Sequence, residues 1–483
     1  MASHFLLVPL MAQGHMIPMF DIARLFASRG VKVTLVTTPA NASRFTSVAA
    51  RSIAAGLDIR VVELEFPVAK AGLPDGCENL DTIPSPEMAG KFLEATEFLR
   101  QPFEELFSRL EPRPNCVVSD AFLPFTYEVA QEFGVPRIAF NGLSCFCLLG
   151  MYCARTSGVF EKVSSDMEKF VIPGFPDAIE FNRLQIQTKS YFGSPKFFAK
   201  ILETLAGSYG MIVNSFKELE PAYAKAYRKV KGDKLWVIGP VSSYNKDYAD
   251  KAERGNKPAK DAEECTRWLD KQEKGSVLYA CMGSLCNLKV DQLKELAMGL
   301  EESMRPFIWA IRGNYDLQEL DDWVSQTGYE EKLAGRGFLI RGWSPQVLIL
   351  SHPSVGGFLT HCGWNSTLEG ISSGTPLLTW PLFGDQFYNE KLVVEVVKTG
   401  VSIGAEVPIG WGNEEQSLGV MVTREDVRRG VQRLMDEGDE GEELRRRARE
   451  LAELAKKAMD VGGSSYVDLS LLISEIMENC HLK

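Results

Sequence analysis

The sequence predicts an α/β protein built from two doubly wound domains. Its 483 residues exceed the usual length of one domain, and 45% hydrophobic against 24% charged residues is the balance of a globular protein with large cores. Short apolar runs of strand type alternate with helical stretches in both halves, as in parallel sheets with crossover helices. A polar stretch without apolar periodicity separates the halves, so we expect domains at 1–240 and 263–460, a linker at 241–262 and a tail helix within 461–483.

The first half opens with a strand, a helix and a second strand. Residues 5–10 form the first apolar run, 16–28 an amphipathic helix that Gly30 ends, and 31–37 the next strand. Further strands are expected at 58–64, 116–119, 137–140 and 210–214. Residues 65–86 are rich in proline and lack a period, which indicates an ordered surface loop.

The second half repeats the alternation. Strands are expected at 275–281, 307–311 and 337–341, helices at 290–304, 424–436 and 442–459, and a loop at 404–421. The tail places apolar residues at 469, 472, 473, 476 and 477 after Ser464 or Ser465 as N-cap. That spacing makes one apolar stripe on a helix over 464–478.

Charge and cysteine usage exclude several classes of protein. The net charge of −11 disfavours nucleic acid or an anionic membrane as partner. The ten cysteines are scattered without a Cys-x-x-Cys pair, which favours a reduced, cytoplasmic protein without a metal centre. The apolar run 5–10 lacks the flanks of a signal peptide, and the apolar patch at 145–154 is too short to span a bilayer. We expect no membrane insertion, and a monomer.

The segment 343–386 carries the side chains of a nucleotide-sugar site. Trp343 offers a flat indole face and Gln346 an amide that donates and accepts, a combination that suits uracil. The apolar run 355–360, a glycine turn and a helix ending at Gly374 follow. A strand, a tight turn and a helix start present backbone N–H groups and a positive dipole end to phosphate.

Polar side chains lie at the places where such a ligand needs them. Glu369 is one turn into the helix, where an acidic side chain can accept from ribose hydroxyls. Donors for phosphate are available from His361, Asn365 and Ser366, and groups for the hydroxyls of a hexose from Asp385 and Gln386.

The whole segment resembles the signature box of plant small-molecule UDP-glycosyltransferases, from Trp-x-Pro-Gln through His-Cys-Gly-Trp-Asn-Ser to Asp-Gln. The resemblance implies a GT-B fold: two facing Rossmann-like domains with a cleft between them, and a tail that returns to the first. It implies uracil at Trp343 and Gln346, ribose at Glu369, diphosphate at His361, Asn365 and Ser366, and sugar at Trp364, Asp385 and Gln386. Gly14 and Ser284 complete the expected donor residues. A final Gln in this box is associated with glucose, and a final His with galactose.

His15 is the candidate catalytic base. It follows the first strand at a helix start, where the positive helix end favours the neutral imidazole that a base requires. Asp120 ends another apolar strand at the same edge of the predicted sheet. Position alone leaves helix capping open for both residues. In the plant glycosyltransferases, however, a Gly-His after the first strand and an Asp about a hundred residues later form the catalytic dyad.

The resemblance therefore implies inverting transfer of glucose from UDP-glucose to an acceptor hydroxyl, with His15 as base and Asp120 orienting it. The sequence contains no Asp-x-Asp, the usual metal-binding motif of sugar transferases, so we expect neither a metal nor a cofactor. The helix start, His361 and Ser284 are then the groups that would stabilise the leaving diphosphate.

Aromatic residues near the expected cleft favour a planar or polycyclic apolar acceptor. The candidates are Phe122, Phe125, Asn141, Phe146 and Phe383. A flavonoid or another phenolic is the first expectation, with a steroid or triterpenoid aglycone or glycoside, or another UDP-sugar, as alternatives. An NAD-dependent oxidoreductase is only a remote alternative. Such an enzyme would require Gly-x-Gly-x-x-Gly after the first strand, and that motif does not follow it here. A noncatalytic UDP-sugar-binding protein is another.

Overall fold

The computed structural model describes residues 3–186, 193–258, 262–285, 288–312, 317–409 and 420–481. By contacts the chain divides into two compact units. The first comprises described residues of 1–145, 189–256 and 457–483, and the second those of 146–188 and 257–456. The contacts thus group 146–188 with the second unit, where Phe146 packs edge-on against Tyr388. The domain ranges expected from the sequence stay a prediction.

The described residues form fifteen strands. In chain order they are β1 (His4–Val8), β2 (Lys32–Thr37), β3 (Ile59–Glu63), β4 (Cys116–Asp120), β5 (Arg137–Asn141), β6 (Phe170–Val171), β7 (Glu180–Phe181), β8 (Gly210–Val213), β9 (Leu235–Val237), β10 (Val277–Cys281), β11 (Phe307–Ile311), β12 (Gly337–Arg341), β13 (Val355–Thr360), β14 (Leu377–Thr379) and β15 (Gly400–Ser402).

Two parallel sheets organise these strands. The first unit holds seven strands in the order β3-β2-β1-β4-β5-β8-β9, and the second holds six in the order β12-β11-β10-β13-β14-β15. β6 and β7 form a small antiparallel pair. The inner strands of both large sheets are mostly apolar and buried, as expected where helices cover both faces of a sheet, whereas the edge strands β3 and β12 are partly exposed. The predicted pair of doubly wound sheets is confirmed.

Helices connect the strands. They are α1 (Gln13–Ala27), α2 (Pro39–Ala42), α3 (Thr46–Ala54), α4 (Ala89–Ala95), α5 (Arg100–Arg109), α6 (Phe125–Glu132), α7 (Cys145–Thr156), α8 (Arg183–Ile186), α9 (Pro195–Gly207), α10 (Pro221–Val230), α11 (Tyr248–Ala252), α12 (Ala262–Leu269), α13 (Val290–Glu302), α14 (Gln318–Thr327), α15 (Tyr329–Leu333), α16 (Gln346–Leu350), α17 (Trp364–Ser373), α18 (Gln386–Lys391), α19 (Arg424–Leu434), α20 (Asp439–Met459) and α21 (Ser464–His481). Within the described ranges, none of these helices has both the length and the apolar character that crossing a membrane requires.

Most predicted elements appear within a few residues of their expected bounds. The first helix is an informative difference, because α1 begins at Gln13 and not at residue 16. The turn after β1 is therefore shorter than expected, and His15 lies in the first turn of the helix. Of the loop expected at 404–421, residues 410–419 lie outside the described residues.

The polar stretch 241–256 is ordered against α1. Arg24 donates to Asn245 at 2.7 Å and pairs with Asp250, and Arg254 pairs with Asp21 at 2.7 Å. These side chains are largely buried, so ion pairs help to fix the stretch, which buries only a few apolar residues such as Val241 and Ala252. The stretch therefore shows no hydrophobic periodicity in its sequence, and α11 was not predicted.

The tail helix α21 packs against the end of the first sheet. Leu469, Leu472 and Ile476 are buried as the predicted apolar stripe. Asp468, also buried, accepts from the backbone N–H of Val237 at 3.0 Å and pairs with Lys217 at 2.6 Å. Both partners belong to the first unit, as does the tail.

Candidate active site

The first candidate site lies where the strand order of the seven-stranded sheet reverses. β1 and β4 are neighbours, with Val8 beside Ser119, while the next strands along the chain, β2 and β5, lie on opposite sides of this pair. Such a reversal opens a crevice beyond the carboxyl ends of the strands. His15, in the first turn of α1, and Asp120, the last residue of β4, meet at this point.

His15 and Asp120 are in direct contact. Nδ1 of His15 lies 2.6 Å from Oδ2 of Asp120, and the side chains are 26% and 1% exposed. Because a carboxylate oxygen can only accept, the imidazole donates from Nδ1–H and carries its lone pair on Nε2. The arrangement is that of a base oriented by a buried carboxylate.

Two further groups hold Asp120. The backbone N–H of Phe122 donates to its Oδ1 at 3.0 Å, and Nη2 of Arg137 donates to its backbone oxygen at 2.7 Å. Burial lowers the pKa of Arg137 to about 10, while the charge of Asp120 acts in the opposite direction. The guanidinium therefore remains charged at neutral pH and stabilises the buried carboxylate.

The second candidate site repeats this geometry in the six-stranded sheet. β10 and β13 are the neighbours at its reversal, with Cys281 beside Thr360. Gly283 and Ser284 follow β10, and α17 begins four residues after β13. Thr367 donates the first backbone hydrogen bond of the helix turn, to Gly363 at 2.9 Å. The N–H groups ahead of it are those that a helix start presents to an anion.

The imidazole of His361 packs closely against Gly283 and Gly363. A Cβ added to Gly283 or to Gly363 would lie 2.4 Å from Nε2 of His361, and Gly283 has a φ of +85°. Burial lowers the pKa of His361 to about 4, and the positive charge of Arg312 acts in the same direction. The ring is therefore neutral at pH 7. Among the described residues, its buried Nδ1 has no hydrogen-bond partner.

The turn after His361 is strained and is anchored by Asn389. Cys362 adopts a φ of +65°, an uncommon conformation for a residue with a side chain. Nδ2 of Asn389 donates to the backbone oxygen of Cys362 at 2.9 Å and to Oδ2 of Asp385 at 2.7 Å. Asn389 thus ties the turn at the helix start to the carboxylate expected at the sugar.

The residues assigned to uracil, ribose and phosphate form one cluster. Nε2 of Gln346 donates to Glu369 at 2.8 Å and to Ser366 at 3.1 Å. Trp343 lies nearby, in the loop between β12 and Gln346, and is partly buried. The structure therefore brings the predicted nucleoside end together on one unit.

Gln386 uses its amide oxygen to fix the preceding loop. Oε1 accepts from the backbone N–H groups of Leu382 at 2.8 Å and of Phe383 at 3.1 Å. Both partners are donors, so the amide orientation is fixed and its oxygen is saturated. The group left to a sugar hydroxyl is the Nε2 donor.

The remaining predicted residues differ in exposure. Trp364 is buried as the first residue of α17, Ser284 and Asn365 are partly buried, and Gly14 is exposed. Of the acceptor candidates, Phe122 is partly buried with its ring edge-on to His15 at 6.0 Å. Phe125 is buried against Phe103, Asn141 is buried at the end of β5, Phe146 is buried against Phe175, and Phe383 is partly buried. Their acceptor contacts stay predictions.

Glu390 is a buried carboxyl on the same helix as Gln386. Its Oε1 accepts from the hydroxyls of Thr379 and Ser402, both at 2.8 Å. Burial raises its pKa from the ordinary 4.5 to about 7. Between those values the folded chain keeps a proton that the unfolded chain has lost. This stabilisation is complete below pH 4.5 and is lost as the pH rises through about 7.

We expect Glu390→Gln to become more stable relative to wild type as the pH rises. Glutamine keeps an oxygen for both hydroxyls but cannot ionise. The difference in free energy of unfolding, from urea melts between pH 4.5 and 8, should grow by up to about 3 kcal/mol, at about 1.4 kcal/mol per pKa unit. Glu453→Gln, an exposed control, should show no such trend. A pH-independent difference for Glu390→Gln would mean that this carboxyl is already ionised.

Several site residues escaped sequence analysis. Arg137, Asn389 and Gly283 act only through contacts with residues distant in sequence, so no local pattern marks them. A signal existed for Gly283 alone, because a glycine two residues after a buried strand can mark a close approach of another group.

The fold and the two sites together define a class of enzyme, a glycosyltransferase of the GT-B fold. Two family models match the chain: "Glycosyltransferase, N-terminal domain" over residues 4–243 and "UDP-glucoronosyl and UDP-glucosyl transferase" over 235–407. Among curated proteins it is similar to UDP-glycosyltransferase 73C5 of Arabidopsis thaliana, 54% identical over 98% of this chain and 97% of the other. UDP-glycosyltransferase 73C12 of Barbarea vulgaris is also 54% identical, over 98% and 96%.

Solved structures of plant glycosyltransferases are also similar to this chain. Glycyrrhiza uralensis UGT73P12, complexed with glycyrrhetinic acid 3-O-monoglucuronide, is 37% identical with a TM-score of 0.90, over 99% of this chain and 96% of the other. Arabidopsis thaliana UGT89C1, complexed with quercetin, is 27% identical with a TM-score of 0.75, over 99% and 100%. The chain belongs to the plant UDP-glycosyltransferases, and its GT-B fold is that of the family.

Proposed function

We propose that this enzyme transfers glucose from UDP-glucose to a hydroxyl of an apolar plant metabolite, with inversion and without a metal. The observation that carries the proposal is the 2.6 Å contact between His15 and Asp120, which leaves Nε2 of His15 as a base. A noncatalytic sugar-binding protein has no use for such a pair.

In the proposed reaction, Nε2 of His15 accepts the proton of the acceptor hydroxyl. The acceptor oxygen forms a bond to the anomeric carbon from the face opposite UDP, and the bond from that carbon to the diphosphate oxygen breaks. UDP leaves with the electron pair. Asp120 stabilises the imidazolium as it forms. A single displacement on UDP-α-glucose gives a β-glucoside.

We propose that the second unit binds the donor. Trp343 and Gln346 would hold uracil, Glu369 ribose, and Asp385, Gln386 and Trp364 the sugar. The diphosphate would lie at the start of α17, near Asn365, Ser366, Ser284 and His361. Gly14 is the remaining candidate for the donor. The buried Nδ1 of His361, for which no described residue is a partner, supports a ligand at this place. Helix-start N–H groups can stabilise the leaving diphosphate without a cation.

For the acceptor, we propose an aromatic or polycyclic compound that reaches Nε2 of His15 past Phe122. Phe125, Asn141, Phe146 and Phe383 are the remaining candidates. Quercetin, a flavonoid, in the UGT89C1 structure supports a phenolic acceptor. The triterpenoid glucuronide in the UGT73P12 structure, at the higher identity and TM-score, supports the triterpenoid alternative. We further propose a cytoplasmic location, because the ten cysteines are scattered along the chain without a Cys-x-x-Cys pair.

The test is an assay of the purified chain in EDTA with UDP-glucose and a panel of flavonoid, simple phenolic, steroid and triterpenoid acceptors. Products are identified by mass and by the anomeric coupling in NMR. Turnover to a β-glucoside is expected. An α-linked product, or turnover that needs Mg²⁺ or Mn²⁺, would contradict the proposal.

Gln386→Glu should weaken recognition of the sugar. Glutamate keeps an oxygen for the N–H groups of Leu382 and Phe383 but replaces the Nε2 donor with a second acceptor. KM for UDP-glucose should rise by roughly tenfold, as for one lost hydrogen bond, while Kd for UDP stays within about twofold. Kinetics and calorimetry measure both quantities.

Gln292→Glu is the matched control, because Oε1 of Gln292 also accepts from two consecutive N–H groups, those of Met421 and Val422, away from the site. Equal KM effects in the two variants would show that the loss is structural and would remove Gln386 from the sugar site.

A further inference from the structure

We propose that Arg312 and Tyr279 are positioning residues that hold the uracil-binding pair, Trp343 and Gln346, in its working geometry. The inference rests on the proposed function, which assigns this pair to the donor. Neither Arg312 nor Tyr279 belongs to the signature box at 343–386.

Arg312 follows β11 and forms hydrogen bonds to the loop residues on both sides of Trp343. Its Nε donates to the backbone oxygen of Gly342 at 3.3 Å, and its Nη2 donates to Oγ of Ser344 at 3.1 Å. Its guanidinium lies over the indole of Trp343, with the central carbon 4.1 Å from the ring centroid. Stacking and two hydrogen bonds from one rigid plane fix both the loop and the ring.

Tyr279 lies on β10 and is buried, with its ring stacked on Phe358 at 5.1 Å. Its hydroxyl is 2.7 Å from Oγ of Ser344 and donates to Oε1 of Gln346 at 3.3 Å. The Tyr279 hydroxyl therefore connects Ser344, in the loop that Arg312 holds, to the Gln346 amide proposed to bind uracil.

The hydrogen bonds of this cluster run in one direction. Arg312 donates to Ser344, the Ser344 hydroxyl can then donate to Tyr279, and Tyr279 donates to Gln346, whose Nε2 donates to Glu369. Each hydroxyl then both accepts and donates, so the chain is internally consistent and mutually strengthening. Its effect is to orient the Gln346 amide, with the oxygen toward Tyr279 and the nitrogen toward Glu369.

The stacked guanidinium also leaves only one face of the Trp343 indole for a base. Because the guanidinium covers one face of Trp343, a base can stack only on the other. Arg312 therefore determines on which side of the indole the donor's uracil lies.

The experiment compares uridine with UDP by calorimetry, because uridine lacks the diphosphate. The variants are Arg312→Gln, Arg312→Lys and Tyr279→Phe. Arg341→Gln is the control, since Arg341 ends the neighbouring strand in exposed ion pairs with Asp321 and Glu330. Both Arg312 variants should weaken uridine and UDP by a similar factor of roughly 10, the scale of a partly desolvated cation–π contact. Tyr279→Phe should weaken both by about fivefold, and the control should bind as wild type.

Other results would overturn the inference. A loss confined to UDP and restored by lysine would make Arg312 a charge for the diphosphate, and tighter uridine binding would make it a competitor for the uracil face. Trp343→Ala separates this inference from the proposed function. If Trp343→Ala leaves uridine affinity unchanged, the donor assignment itself fails. If it weakens uridine while the Arg312 and Tyr279 variants do not, only the positioning role fails.

Discussion

Replacing His15 with alanine should lower kcat for glycosyl transfer by about 10³-fold or more, within the range that a general base contributes. The acceptor hydroxyl is barely acidic, and Nε2 of His15 is the proposed proton acceptor. UDP affinity, measured by calorimetry, should stay within about threefold, because the donor residues other than Gly14 lie on the second unit. The loss should appear in kcat and not in UDP binding.

Asp120→Asn tests the same pair from its other side. An amide in place of the carboxylate no longer fixes the Nδ1–H tautomer or stabilises the imidazolium, so kcat should fall by up to about 10⁴-fold with little change in UDP affinity. The control is His352→Ala, which removes another partly buried imidazole, one that faces Asp270 at 3.2 Å. Its kcat should stay near that of wild type. Turnover of His15→Ala within a few-fold of wild type would remove His15 as the base.

Gly283→Ala should abolish tight donor binding, with a loss in UDP affinity of about 100-fold or more. The new Cβ would lie 2.4 Å from Nε2 of His361, and the backbone φ of +85° is unfavourable for alanine. Either His361 or the loop after β10 must move, at the start of the helix that would receive the diphosphate. Displacements of about 1 Å in such a site cost on the order of 100-fold. Calorimetry with UDP measures the effect.

Gly335→Ala is the matched control for backbone strain. Gly335 has a φ of +80° in the same unit, but a Cβ there would meet no atom within 4 Å. Backbone strain should cost both variants about 1–2 kcal/mol of stability. Gly283→Ala should lose more because of its clash with His361, and only Gly283→Ala should lose UDP. Equal UDP affinity in the two variants would mean that the fit of His361 against Gly283 has no part in donor binding.

The strands and the catalytic candidates could be predicted because their signals are local. The first strand and the strand before Asp120 are apolar runs, and parallel strands bring their carboxyl ends to one edge of a sheet. His15 and Asp120 are 105 residues apart in the chain, yet they were expected at this edge, and the structure joins them there. The start of α1 was misjudged by three residues, because Gln13 and Gly14 carry no apolar signal.

What escaped prediction depends on packing between distant segments. Arg312 precedes Trp343 by thirty-one residues, and only the pairing of β11 with β12 brings them together. In the sequence, Arg137 is an ordinary charged residue at the start of the expected strand 137–140. In the structure it is buried, because three oxygen acceptors surround its guanidinium. No periodicity in a sequence reports such partners. The same holds for α11, whose buried Asp250 pairs with Arg24 and Arg51.

The central claim is that His15 removes a proton from the acceptor. The most direct measurement compares wild type and His15→Ala on two acceptors of similar shape, one with an aliphatic hydroxyl and one with an aromatic thiol that is already ionised at the assay pH. A thiolate needs no base, so His15→Ala should lose about 10³-fold on the hydroxyl acceptor but keep most of its kcat on the thiol. An equal loss on both acceptors would contradict the claim, because His15 would then serve the reaction by some means other than proton removal.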